Sequence, residues 1–261
     1  MRLAAALFLG ALFVSGARAV DLKPETVQAF ERYIGETEKR LERRLLPGGK
    51  FLWADEEPQR LAQVRQGQLA VENRGAQDTT PVPGGLIHDW IGAVFIPGVT
   101  LEKTLTLVQD YDHNRDNYKP EVLASRLVGR HGNDFKVYLR LRKQKVVTVI
   151  LDTDYDVRYF PLDGGRCHSR AYSTRIAEVE NAGRRDERLL PPGHDDGFLW
   201  RLYSYWRYQE RDGGVYVECE AISLTRGIPV GLGWLIEPII TTLPRESLAN
   251  TLHETLAALQ K

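Results

Sequence analysis

Two polar series in the C-terminal third of this sequence are the residues best placed to do chemistry. Arg201, Tyr203, Tyr205 and Arg207 alternate along one aromatic-rich stretch, and Tyr216, Glu218, Glu220 and Ile222 alternate along the next. In extended chain, side chains two apart share a face, and a tight turn lays the two series side by side. Arg175 offers a further cation on an earlier strand. Pointing inward, these groups would form a buried Arg–Glu arrangement able to orient the polar end of a ligand. Pointing outward, they would be a cross-strand ion pair of little worth to stability. The opposite series, Phe198, Trp200, Leu202, Ser204, Trp206 and Tyr208 with Val215, Val217, Cys219 and Ala221, is the default inner face, because a buried unpaired carboxylate is costly. The candidate ligand-binding residues are therefore Arg175, Trp200, Arg201, Tyr203, Tyr205, Glu218 and Glu220. Trp234 joins them, in a Gly-rich stretch from Gly227 that would gate a cavity mouth.

Other constellations are weaker. Asp110, Asp112, Asn114, Asp116 and Glu121 match the ligand spacing of a calcium loop, but Arg115 stands where that loop needs Gly, and Pro120 precedes the last ligand. A solvated loop is the expectation. The six histidines show no metal-ligand spacing, and no nucleophile elbow, P-loop or dinucleotide fingerprint occurs. The sequence thus offers no catalytic residue, metal or cofactor. Arg140, Arg142, Lys143 and Lys145 make a basic hairpin tip, read as a solvated turn with transient contact to anionic headgroups as the alternative.

These residues need elements to hold them. Pro24 to Leu46 reads as an amphipathic helix that starts at a proline and ends at Pro47-Gly48-Gly49. Its charged face is expected in solvent, with partner docking as the alternative. Val64 to Asn73 reads as a strand, and Arg74 to Gly85 as a loop. A long β segment spans Leu86 to Ile96, and Thr100 caps a short helix carrying Leu101, Leu105 and Val108. From Val122 a succession of strands and tight turns predicts an antiparallel meander, closing on the Asp212-Gly213 hairpin. Ile228 to Leu259 reads as one long helix with Leu248, Leu252, Leu256 and Leu259 in a stripe, broken or kinked at Pro238 and Pro244.

The 261 residues are 43% hydrophobic and 27% charged, with 35 basic and 35 acidic residues, so no net field draws nucleic acid. Arg2, the apolar run Leu3 to Val14, and Ala17-Arg18-Ala19 read as a secretory signal cleaved after Ala19. Retention as an N-terminal anchor is the alternative. The expected divisions are a signal at 1–19, an extension of helix, strand and loop at 20–84, and a ligand-binding domain at 85–261 in a periplasmic or secreted protein.

The order of elements resembles the START-like superfamily, which includes birch-pollen-allergen-type proteins, polyketide cyclase/dehydratase-like proteins and START lipid-transfer domains. Gly92-Ala93-Val94-Phe95-Ile96-Pro97-Gly98 with Tyr118 to Val122, the hairpin Asp212 to Glu218, and Ile228 to Leu256 carry the likeness. The resemblance implies an α+β helix-grip fold: a curved antiparallel β-sheet wrapped around a long C-terminal α-helix, here with an extra N-terminal helix. It implies a cavity between sheet and helix for a small apolar ligand or lipid. It also implies that the strand of Trp200 separates Cys167 from Cys219, beyond disulfide reach. An enzyme of the cyclase or hydrolase kind on the same scaffold, or an interaction module docking through the N-terminal helix, remain the alternatives.

Overall fold

The computed structural model describes residues 20–75, 77–144, 148–227 and 233–261, with side chains described from residue 21 and, in the closing helix, from residue 242. The predicted signal therefore lies outside the described residues. In chain order the elements are β1 (Val20–Asp21), α1 (Pro24–Arg43), α2 (Pro58–Arg65), β2 (Ala70–Asn73), β3 (Thr80–Val82), β4 (Gly85–Pro97), α3 (Leu101–Val108), α4 (Asn114–Asn117), β5 (Val122–His131), β6 (Asp134–Gln144), β7 (Thr148–Asp163), β8 (Arg166–Glu180), β9 (Arg188–Leu189), β10 (His194–Asp195), β11 (Arg201–Arg211), β12 (Gly214–Arg226) and α5 (Gly233–Leu259).

One large antiparallel sheet runs in the order β2-β4-β12-β11-β8-β7-β6-β5, with β3 added to β4 and β9 to β8. Register breaks between Val122 and Ala124, Leu127 and Gly129, Asp154 and Tyr155, and Pro161 and Asp163 insert bulges that bend the long strands. The turn Asp212-Gly213 explains the tightest hairpin. Both residues have positive φ, 59° and 79°, as a two-residue turn between right-twisted strands requires.

The inner face of the sheet receives α5. Leu248, Leu252 and Leu259 are buried there with Val94, Ile96, Val215, Val217 and Cys219, and Leu256 packs alongside. The helix lies chiefly over β4, with further contact to β12 and β2. Its approach is close: a Cβ on Gly92 would meet Leu252 Cδ1 at 2.7 Å. Helical structure is continuous from Gly233 through both prolines, so neither Pro238 nor Pro244 divides the helix as expected. Thr100 caps α3 as expected, accepting from the Lys103 amide at 3.2 Å.

The outer face is covered as well. Phe30, Ile34 and Leu41 of α1 pack on Ile87, Ile222 and Leu224, and Phe51, Leu52 and Trp53 pack on Ile91, Phe95 and Tyr216. One expectation is corrected. The strand read from Val64 starts only at Ala70, because Pro58 at a helix N-terminus turns the preceding residues into α2. The 20–84 segment is also built into the sheet through β2 and β3. β4 and β12 are therefore covered on both faces.

Candidate functional site

Across the middle of the inner face the side chains are small. Cross-strand register places Trp90, Ala221, Ser204, Ala171 and Val157 in one row, and Gly92, Cys219, Trp206, Ser169 and Tyr159 in the next. A third row runs His88, Ser223, Leu202. Ala221, Ser204, Ala171, Leu202 and Trp206 are only half-buried, although they sit on central strands. The alanines and the serine reach only a short way out from the sheet, beside a helix that packs chiefly at β4.

Aromatic and polar groups frame this shallow region. The Tyr111 and Tyr159 hydroxyls are 2.9 Å apart, and the Tyr118 hydroxyl lies 3.2 Å from Thr255 Oγ1. Burial pushes the Tyr155 phenol up to about 12. His88 is fully buried, with Nε2 3.1 Å from Thr225 Oγ1, and burial lowers it to about 4, so it is neutral at pH 7. Glu178 is 4% exposed and accepts from the amides of Phe198 (3.0 Å) and Asp196 (3.2 Å). Burial, reinforced by Asp195, raises it to about 7 despite those bonds. At the edge near the end of β6, a cleft of about 210 Å³ opens between Pro120, Glu121, Arg142 and Lys143 on one side and Leu243, Ser247 and Asn250 of α5 on the other.

The outer face holds the charges. Arg44 Nη2 donates to Glu218 Oε1 at 2.7 Å, and the Trp53 amide donates to the same carboxylate. Arg40 Nη1 lies 3.2 Å from Glu220 Oε2 and its other nitrogen also binds that group. Arg207 donates to the carbonyls of Phe51 (3.1 Å) and Leu41 (2.9 Å). Burial and then the Arg44 charge lower it to about 10. The Tyr33 hydroxyl donates to Asp89 Oδ2 at 2.9 Å, and burial followed by the nearby Glu220 raises Asp89 well above the usual carboxylate range. Glu218 and Glu220 are 2% and 1% exposed, so this is an interior polar layer between α1 and the sheet.

The sequence-derived candidates divide accordingly. Tyr203, Tyr205, Glu218 and Glu220 are brought together, but on the face that α1 covers, away from α5. Tyr205 donates to Glu38 at 3.0 Å. The cations for the glutamates come from Arg40 of α1 and Arg44 at its C-terminal cap; Arg175 pairs instead with Asp154 at 2.6 Å, and Arg201 bonds the Trp200 carbonyl at 2.8 Å. Trp200 departs from the expected alternation. It precedes β11, packs with Phe30 and Ile34, and donates to Asp195 Oδ1 at 3.0 Å. Of the expected gate from Gly227 to Trp234, residues 228–232 and the Trp234 side chain lie outside the described residues. Sequence reading missed Arg40 and Arg44, which it placed in solvent. Their signal was present: residues four apart on a helix and two apart on a strand are both spaced about 6–7 Å, so Arg40/Arg44 match Glu220/Glu218 in spacing.

The calcium-like residues do not converge. Asp110 bonds His113 at 2.8 Å, Asp112 accepts from the Leu127 amide at 2.9 Å, Asp116 pairs with Lys119, and Glu121 with Lys143. Among the described residues no group of side chains is arranged to hold a metal. The basic tip is largely neutralised: Arg140 binds Asp152 and Glu187, and Lys143 binds Glu121, while Lys145 lies outside the described residues. Cys167 and Cys219 are free, on strands separated by β11 as expected.

No family model and no curated protein matches the sequence. Solved structures do resemble the fold. A fragment of a STAR-related lipid transfer protein from Xanthomonas axonopodis is 16% identical, covers 74% of this chain and 99% of its own, and has a TM-score of 0.49. Human STARD10 is 10% identical over 77% of this chain and 80% of its own, with a TM-score of 0.43. An aromatase/cyclase from Streptomyces, Zhui, is 10% identical over 67% and 94%, also with a TM-score of 0.43. The architecture is of the helix-grip kind, an antiparallel sheet with a long closing helix on one face, as the strand order and α5 show.

Proposed function

We propose that this protein holds a small apolar ligand or lipid between the inner face of the sheet and α5. One observation carries the reading: Ala171, Ser204 and Ala221, on the inner face of the middle strands and beside the helix that packs on β4, stay half-buried. A space over these small residues, bordered by Leu202 and aromatic rings, would suit a hydrophobic guest. The apolar N-terminal run further supports export to the periplasm or beyond, with α1 and the sheet forming the mature protein. N-terminal sequencing of the secreted chain should then begin at Val20.

An enzyme on this scaffold would need an acid or base on the inner face, and Glu178, titrating near neutrality, is a group of that kind. Its two main-chain hydrogen bonds commit it to holding the turn before β11, which favours binding over catalysis.

Filling the hollow tests the proposal. Titration with N-phenylnaphthylamine should show bright, saturable fluorescence for the native chain. Ala171→Trp and Ser204→Trp should weaken binding by about tenfold or more with the fold intact by circular dichroism. Equal binding by the filled variants would overturn the assignment.

A further inference from the structure

Arg207 is a buried cation without a carboxylate of its own. It is 4% exposed, and its guanidinium donates to the carbonyls of Phe51 and Leu41. Glu218, directly across the strand pair, is held by Arg44 and the Trp53 amide, and Glu220 is held by Arg40. The two carbonyls and the Phe51 ring, whose centre lies 5.3 Å from the guanidinium carbon, offset part of the charge. The attraction of the two glutamates reaches Arg207 but does not cancel the effect of burial and of Arg44, which together hold the guanidinium below its usual range.

A small pocket lies between β8, β11 and the end of α1, on the side of Arg207 away from Glu218. Arg207, His168, Arg170 and Tyr205 line it, with Leu41 of α1 and Leu45 just beyond that helix. Register explains the grouping: Arg207 pairs with His168 and Tyr205 with Arg170, so the four side chains share the outer face. The pocket has a volume of about 10 Å³, room for one body of the size of a water molecule. Among the described residues no carboxylate lines it. Arg170 has only loose partners, Glu42 at 3.4 Å and Glu38 at 4.0 Å, and the Tyr205 hydroxyl is turned to Glu38. His168 is lowered to about 4 by burial and then by the Arg207 and Arg170 charges, as befits surroundings short of negative charge.

We propose that this pocket is a site for a single monatomic anion of the chloride kind, which pairs with Arg207 and joins the end of α1 to β8 and β11. Size rules out sulfate, phosphate and carboxylates, and two guanidinium groups with no lining carboxylate favour an anion over water. The ion accepts from the N–H groups of Arg207 on the sheet side, has Arg170 as its second cation, and is covered by Leu41 and Leu45. Its part is structural, since no bond is made or broken, and it is separate from the inner face on which an apolar ligand would lie.

Thermal unfolding in sodium chloride, bromide and gluconate at matched low ionic strength tests this. Chloride and bromide should raise Tm by about 2–4 °C over gluconate and should do so saturably, as binding to one site requires. Crystals soaked in bromide should show an anomalous-scattering peak in the pocket, within hydrogen-bonding reach of Arg207. Leu45→Phe, which fills the pocket without altering any charge, should lose the halide increment, and Arg207→Gln should lose it too. Should the Arg207 variant fold poorly, the Leu45 variant and the bromide peak decide the matter. Equal melting in chloride and gluconate, a gain that never saturates, or a pocket without bromide in the soaked crystals would overturn the proposal.

Discussion

Single residues in this protein are governed by burial more than by display. Glu178 is the clearest case, because burial and its acidic neighbours raise its carboxyl to about 7. A carboxyl whose folded value lies above its unfolded one holds its proton more tightly in the native state. Its stabilising contribution is complete below its unfolded value and is lost as pH rises through about 7. Glu178→Gln removes this dependence. The melting temperature of the variant relative to the native chain should therefore rise between about pH 5 and about pH 8. A constant difference over that range would contradict the environment assigned to Glu178. The opposite sign applies to His88, lowered to about 4: its neutral burial costs stability as pH falls from about 6.5 toward 4. Neither residue stood out in the sequence. His88 has no motif around it, and Glu178 acquires its character from the turn at 195–198, which no local pattern places beside it.

At the scale of elements, α1 and the sheet are joined by an interior polar layer and not by apolar packing alone. Removing one partner of a buried ion pair leaves the other charge stranded, at a cost of about 3–5 kcal/mol, whereas removing both is far milder. Arg44→Met should thus destabilise the protein by about that amount. Adding Glu218→Gln, which keeps an acceptor for the Trp53 amide, should recover most of the loss in denaturant unfolding. Additive effects would show that Arg44 and Glu218 do not act as a pair. Leu252→Ala in α5 should cost about 2–5 kcal/mol, since Leu252 is fully buried over Gly92. The strands of the meander, the cap at Thr100, the Asp212-Gly213 turn and the leucine stripe of α5 were legible, because each is encoded by residues close in sequence. The polar series of β11 and β12 was legible as a pattern but not as a face. Alternation fixes which side chains go together, and only the covering element decides which side is which. With α1 on the outer face, Glu218 and Glu220 are buried without meeting α5. Trp200 escaped the pattern because the strand begins one residue later.

At the scale of the whole molecule, α5 packs on one face of the sheet over β4, β12 and β2, and α1 packs on the other. The protein's balanced charge gives it no long-range attraction for a polyanion, so whatever it recognises it recognises by shape and short-range contact. What sets the inner region apart is the smallness of Ala171, Ser204 and Ala221 where a closed core would place larger side chains. Native mass spectrometry of the detergent-free protein, as purified from its own cell, reads this most directly. The native chain should appear heavier than its polypeptide by one small apolar molecule that organic extraction releases, and Ala171→Trp should appear bare. Equal, unloaded masses for both proteins would contradict the account.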